Sequence, residues 1–515
     1  MVVPVCLTLC WAAPDFAQGI EPQPLPDGVQ DSGINVLFDS SHQFAFFAHW
    51  GLQDALREAG HRSIGSQASL NRVLTPGSRV CVRDQASHAW GTHRPFGELP
   101  APDVDVIFTY QHADYQPYLP EERAAVQRFV EAGGGLILDG STAASPLGRW
   151  AEELGARLTG EAGQASVLGG DPIPGLGADT FPRQLRMAEF GEDWTVLVGE
   201  GRRGALARRT LGEGIAFLLS DPQLLHTKVD GQDQPNRDLL SWLVTEAAGD
   251  RPRRTDERRA PWEYGGLGGA LYPENEMRVG GVRVQYADNQ LPDIIELART
   301  RFPELMDLLQ KMLPTPPNPG EAYYINLAAG AGGGWAENAI TPKLAGTISI
   351  DHDGILSVLA HELAHTMYGP EATDGTPGCG LPGWFSEAHA GWFQRKVGRE
   401  FGFDSELTHY SGALAREDPL LDGLDLANIP EGKMGLAWHK AWFIWSILDA
   451  RYGGDWYAKW LAHIHKKYND PSRALTMDEY VLTVSEAVGE DVAPLFERLG
   501  TTVTQRSDLP PIAPK

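Results

Sequence analysis

The chain has 515 residues, 42% apolar and 22% charged, the composition of a soluble globular protein long enough for two or three domains. A formal net charge of -25 argues against general nucleic-acid binding, because phosphate recognition needs a basic footprint. No stretch is long and apolar enough to span a membrane.

Residues 1–19 carry an apolar run from Val2 to Ala13 followed by small and polar residues, which resembles a signal peptide without its basic start. A secreted or periplasmic location is the expectation that follows. Cys6 and Cys10 lie inside this segment and leave Cys81 and Cys379, a pair that fits any redox compartment.

After a proline-rich spacer, residues 31–249 alternate strand and helix. Strands are predicted at 34–39, 104–110 and 135–139, helices at 44–60, 120–132 and 147–154, then strands at 195–198, 205–211 and 214–219 and a helix at 238–248. Almost wholly apolar strands separated by helices predict a mostly parallel sheet covered on both faces, an α/β domain. The order of elements, with Gly133-Gly134-Gly135-Leu136-Ile137-Leu138-Asp139-Gly140, resembles the class I glutamine amidotransferase-like fold, which is flavodoxin-like in layout. No G-x-C-x-G nucleophile elbow is present, so no amidotransferase activity is expected. Asp39, Ser41, His42, Gln111, His112 and Ser141 follow strand ends, where open α/β sheets bind ligands. Ordinary polar loop residues are the plainer alternative.

Residues 250–262 read as a charged, solvated linker with prolines at both ends. The second domain, 263–515, reads as α+β: strands at 280–286 and 322–327 around a helix at 291–312, a glycine-rich stretch from Gly332 to Asn338, and an edge strand at 346–350. Then comes His361-Glu362-Leu363-Ala364-His365. Histidines at i and i+4 share one helix face, so both reach one zinc ion, and the intervening glutamate can polarise a water held there. Ile355, Leu356, Leu359, Leu363 and Met367 supply the buried stripe behind them, with Asp353 and Gly369 as caps.

The alternative is a surface helix with two histidines by chance. Downstream, however, Gly383 to Phe393 reads as a second amphipathic helix carrying Glu387 in an apolar setting, and a two-histidine site lacks a third ligand. His361, Glu362, His365 and Glu387 together resemble the motif of the gluzincin metallopeptidases. That resemblance implies one Zn²⁺ held by His361, His365 and Glu387, with Glu362 as general base. Glu371 and His389 are rival third ligands, the first without the glycine that the metzincin pattern wants at Tyr368.

Helices are predicted at 434–452, 455–468, 476–488 and 491–500, the helical half of a gluzincin. Where the aminopeptidase-type gluzincins carry an oxyanion-stabilising tyrosine, this chain has Trp438, with His439 beside it. His439 is the first choice for that donor and Tyr410 and Tyr452 are reserves. An aspartate four residues past the glutamate ligand, common in one gluzincin branch, is replaced by Gly391, so another acceptor must orient His361. Gly333-Gly334-Trp335-Ala336-Glu337-Asn338 resembles the G-x-M-E-N segment of zinc aminopeptidases, with Ala336 extra, and implies Trp335 and Glu337 as substrate-binding residues. The enhancin-like, mucin-targeting gluzincins resemble the chain in this segment, in the helical half and in an amidotransferase-like neighbour. An endopeptidase acting on extracellular proteins or glycoproteins is therefore the narrow preference, against an aminopeptidase that grips the substrate amine with Glu337. A binding protein with a vestigial peptidase domain is the alternative of another class.

Overall fold

The computed structural model describes residues 25–513 apart from several intervening stretches, the longest being 83–96, 252–270, 366–380 and 403–423. The first part begins β1 (Asn35–Asp39), α1 (Phe46–Glu58), β2 (Arg62–Ser66), α2 (Leu70–Leu74), β3 (Arg79–Val82), β4 (Gly97–Pro100), β5 (Val106–Gln111), α3 (Pro120–Glu131), β6 (Gly135–Gly140) and α4 (Pro146–Glu153). Next come β7 (Ala156–Val167), β8 (Arg183–Phe190), β9 (Trp194–Glu200), β10 (Arg203–Leu211), β11 (Gly214–Leu219), the hairpin β12 (His226–Val229) and β13 (Gln232–Pro235), and α5 (Arg237–Ala248).

β2, β1, β5, β6 and β11 lie side by side and parallel. Their residues are apolar on both faces because helices cover both. Leu37, Ile107 and Leu138 meet Val126 and Val130 of α3 and Trp150 of α4, whereas Phe38, Ile137 and Phe217 meet Leu52 of α1 and Leu240 and Leu243 of α5. Beyond β11 the sheet turns antiparallel. β10 pairs with β8, β8 with β7, β7 with β9 and β9 again with β10, so these four strands close into a small ring. The sequence reading had no strand at β7 or β8, whose polar, glycine-containing segments lack an apolar run.

The sheet takes one more strand from far along the chain. β14 (Leu271–Tyr272) lies between β2, to which it is parallel, and β3, to which it is antiparallel. The second part therefore does not start cleanly at 263: its first strand belongs to the first sheet.

A second, five-stranded sheet is built from β15 (Asn275–Val279), β16 (Val282–Tyr286), β17 (Tyr323–Leu327), β18 (Gly334–Glu337) and β19 (Leu344–Thr347), in the order β15-β16-β17-β19-β18, with α6 (Pro292–Met312) between β16 and β17. The edge strand expected at 346–350 is thus misplaced. β19, ending at Thr347, is interior, and the edge is β18, the glycine-tryptophan segment itself.

The rest is helical: α7 (His352–His365), α8 (Phe385–Phe401), α9 (Met434–Tyr452), α10 (Trp456–Lys467), α11 (Met477–Val488) and α12 (Ala493–Arg498). α11 starts at a Thr476/Glu479 capping box. Trp384, Phe385, Trp445, Tyr457, Trp460 and Tyr480 interlock under α8 with ring centroids 5.2–6.3 Å apart. Each well-placed pair adds about 0.5–1.5 kcal/mol beyond its buried area. Trp445 Nε1 donates to Tyr480 Oη at 2.8 Å and Trp460 Nε1 to Thr483 Oγ1 at 3.0 Å, whereas the buried Trp384 Nε1 has no hydrogen-bond partner among the described residues. A rigid floor under α8 is the result.

Candidate metal centre

α7 buries Ile355, Leu356, Leu359 and Leu363 and packs against α6, α8, β18 and β19. The apolar stripe faces the core, which turns His361 toward α8. There His361 Nε2 stands 3.3 Å from Glu387 Oε2, on a helix whose own apolar face is held by the aromatic floor. The other ring nitrogen is engaged: His361 Nδ1 is 3.2 Å from Gln394 Oε1, and Gln394 Nε2 donates to Ser357 Oγ at 2.7 Å. With Nδ1 engaged by the amide oxygen, Nε2 is the ring nitrogen that faces the carboxylate. Two donors on one tetrahedral zinc, each about 2.0–2.2 Å from it, stand about 3.3–3.4 Å apart. The 3.3 Å separation of the pair falls within that range.

His365 closes α7, but its side chain lies outside the described residues, so no group of three potential ligands is complete among them. Glu371 also lies outside the described residues. His389 does not compete: fully buried, its ring links Ala364 O at 2.9 Å and Tyr457 Oη at 2.8 Å, tying α8 to α7 and α10.

Glu362 is buried, and burial, reinforced by the charge of Glu387 and opposed by His361, pushes its carboxyl up to about 7. A carboxyl poised there can both accept and return a proton near neutral pH. His361 is held above its ordinary value: burial works against its charged form, but the hydrogen bond to Glu387 and the charges of Glu362 and Glu387 prevail.

Gln394 and Ser357 are the supporting residues that the sequence reading missed. The signal was present: Gln394 is seven residues past Glu387, two helical turns on the same face, and Ser357 is one turn before His361. Gly391 explains why no carboxylate stands one turn past Glu387. A Cβ there would come within 2.2 Å of Trp442 Cζ2, and Trp442 Nε1 donates to Ala388 O at 2.6 Å, so the edge of the ring abuts the backbone of α8.

His439 is buried on α9, edge-on to Trp442 with ring centroids 4.8 Å apart. Burial, helped by the nearby Arg395 cation, lowers its pKa and keeps the ring neutral. Tyr410 lies outside the described residues. Tyr452 is committed elsewhere, its hydroxyl donating to Glu490 Oε2 at 2.7 Å beside Arg451. Trp335 and Glu337 lie on β18.

In the first sheet, the structure brings together Asp39, Ser41 and His42. His42 Nδ1 is 2.8 Å from Asp39 Oδ2 and 3.0 Å from Ser41 Oγ, its Nε2 is 3.0 Å from Glu122 Oε2, and Tyr118 stacks on the ring at 3.7 Å. Serine and aspartate share one ring nitrogen while the other faces a second carboxylate. A nucleophile relay needs them on opposite nitrogens, and the whole cluster is buried. These residues therefore form a buried, mutually hydrogen-bonded cluster and not a nucleophile relay. Gln111 ends β5, and His112 and Ser141 lie outside the described residues.

No family model and no curated protein matches the chain. Partial structural likenesses exist at low identity. An M1 zinc metallopeptidase from Deinococcus radiodurans is 16% identical, with 48% of this chain and 56% of the other covered and a TM-score of 0.32. The cytoplasmic protein STM1381 from Salmonella typhimurium LT2 is 14% identical over 42% of this chain and 99% of its own, TM-score 0.27. A β-galactosidase from Rahnella sp. R3 is 11% identical over 42% and 31%, TM-score 0.24. The chain thus spans about half the length of the metallopeptidase it resembles in part.

Proposed function

We propose that the chain is a zinc-dependent peptidase, and that the observation carrying this reading is the 3.3 Å approach of His361 Nε2 to Glu387 Oε2 with Nδ1 tied back to Gln394. His361, His365 and Glu387 would hold the ion, which supplies Lewis acidity to a water and to the scissile carbonyl. Glu362 would take the proton from the attacking water and return it to the leaving amine. His439, neutral, serves as donor to the developing oxyanion. An extended peptide adds to the open edge of β18, main chain to main chain. Within this reading, proteins or glycoproteins outside the cell are the substrates and internal bonds are cut.

The experiment is a comparison of Glu362→Gln with the parent chain on glycoprotein and peptide substrates, with zinc measured in both. The variant should keep its metal and lose turnover, since it removes the base and no ligand. Turnover retained in Glu362→Gln would refute the mechanism. The aminopeptidase reading stays in play because Glu337 ends the edge strand beside α7. N-acetylated and free-amine peptides separate the two. A drop of about a hundredfold in kcat/KM on acetylation, about 2.7 kcal/mol, that disappears in Glu337→Gln would make the enzyme an aminopeptidase.

A further inference from the structure

The two halves of the chain are joined at a place that the charged run does not mark. β14 is hydrogen-bonded within the first sheet and β15 opens the second, so only residues 273 and 274 separate the sheets. Glu274 pins this crossing. Its carboxylate accepts the backbone N–H of Ser69 at 3.1 Å and of Asp288 at 2.7 Å, together with the Ser69 hydroxyl. One carboxylate thus holds the start of α2 against the turn between β16 and α6.

The next residue of that turn enters the buried polar cluster. Asn289, itself buried, donates its amide to Ser41 Oγ at 3.2 Å and to Glu122 Oε1 at 3.1 Å, and lies 3.0 Å from His42 Nε2. Gln290 continues the connection on the other side, donating from Nε2 to Leu327 O at 3.2 Å, at the end of β17. β17 in turn pairs with β19, the neighbour of the edge strand β18. A continuous polar path therefore runs from Asp39, His42 and Glu122 through Asn289 and Gln290 into the sheet beside the metal centre.

Burying an ion cluster costs desolvation energy, and such clusters are stable only when every member is satisfied. Here one of the satisfying groups comes from the other half of the protein. We infer that the first domain is a built-in brace for the second: its charged cluster is a socket for Asn289, β14 and Glu274 are the weld, and together they set the position of the sheet that bears the edge strand. The two halves form one mechanical unit rather than two independent modules.

The test uses the full chain with a site-specific protease sequence inserted between Arg254 and Thr255. After cleavage, the fragments should co-elute at native size without denaturant. Amide hydrogen exchange is compared in uncut parent, Asn289→Leu and Glu274→Gln. Exchange in β16 and β17 should rise about tenfold or more in either variant while α11 stays protected. Fragments that separate under native conditions, or exchange in β16 and β17 that rises in neither variant, would overturn the inference.

Discussion

Glu122→Ala is the perturbation whose consequences the structure fixes most closely. The carboxylate is fully buried and takes four hydrogen-bond partners: His42 Nε2 and Leu119 N at 3.0 Å through Oε2, and Leu70 N at 3.0 Å and Asn289 Nδ2 at 3.1 Å through Oε1. Truncation removes one of the two carboxylates facing the His42 cation and strips these donors of an acceptor. Breaking a buried pair in this way costs about 3–5 kcal/mol, a large share of the 5–15 kcal/mol typical of a domain. Burial, the largest influence on His42, disfavours its charge, but Glu122 and then Asp39 outweigh it and raise the pKa from 6.5 to about 10. The stabilisation linked to His42 is therefore complete below pH 6.5 and is lost as pH climbs through about 10, at up to ~1.4 kcal/mol per unit. Asp39 has the opposite sense. Held below 3.8 by His42 and Ser41 against its burial, it contributes above that value and loses its share as pH falls through the lowered one. Urea unfolding of the parent and Glu122→Ala at pH 7 and pH 9 measures both effects. The variant should be weaker by about 3–5 kcal/mol at pH 7 and lose less on going to pH 9, because its His42 is no longer held so high. A difference below about 1 kcal/mol at pH 7, or identical losses between the two pH values, would refute the reasoning.

Three further outcomes are expected. Replacing Gln394 with leucine should weaken zinc binding about 10–100-fold in chelator competition, since the imidazole loses the acceptor that fixes its tautomer, and Gln394→Glu should restore it. Gly391→Ala should lower stability by about 1–3 kcal/mol in thermal melts, because its methyl would occupy the place of the Trp442 ring. Zinc content by elemental analysis should fall in both His361→Ala and Glu387→Ala, and unchanged metal in the two would remove both from the ligand set.

Apolar patterning reported the buried elements well. The strand at 34–39, the helix at 291–312 and the helices after 434 fall within a residue or two of the observed bounds, because each carries its own periodicity. β7, β8 and β15 escaped because they are half-exposed and carry polar residues, leaving pairing partners rather than local sequence to define them. The edge was misassigned for a related reason: only the pairing of β19 with β17 as well as β18 reveals which of two short strands lies outside. At the candidate metal centre, the spacing of the two proposed histidine ligands was legible because it is local to one helix, and Gln394 was overlooked although its spacing from Glu387 was there to read. Asn289 was not readable. Its partners lie 167 to 248 residues away in sequence.

The insertion of β14 also dictates an order of assembly. Among the described residues, β3 reaches the rest of the sheet through β14, since its other neighbour is β4. A nascent chain that has not yet emitted Leu271 therefore carries β2 as a bare parallel edge and the β3–β4 hairpin with nowhere to dock. Closing that gap spans a long loop, the kind of non-local step that makes folding slow and leaves intermediates prone to association. An unpaired, largely buried strand such as β2 is a template for pairing with another chain. Expression of residues 1–249 alone should accordingly yield aggregates seeded at Arg62–Ser66, whereas extending the fragment past Tyr272 caps the edge and restores solubility.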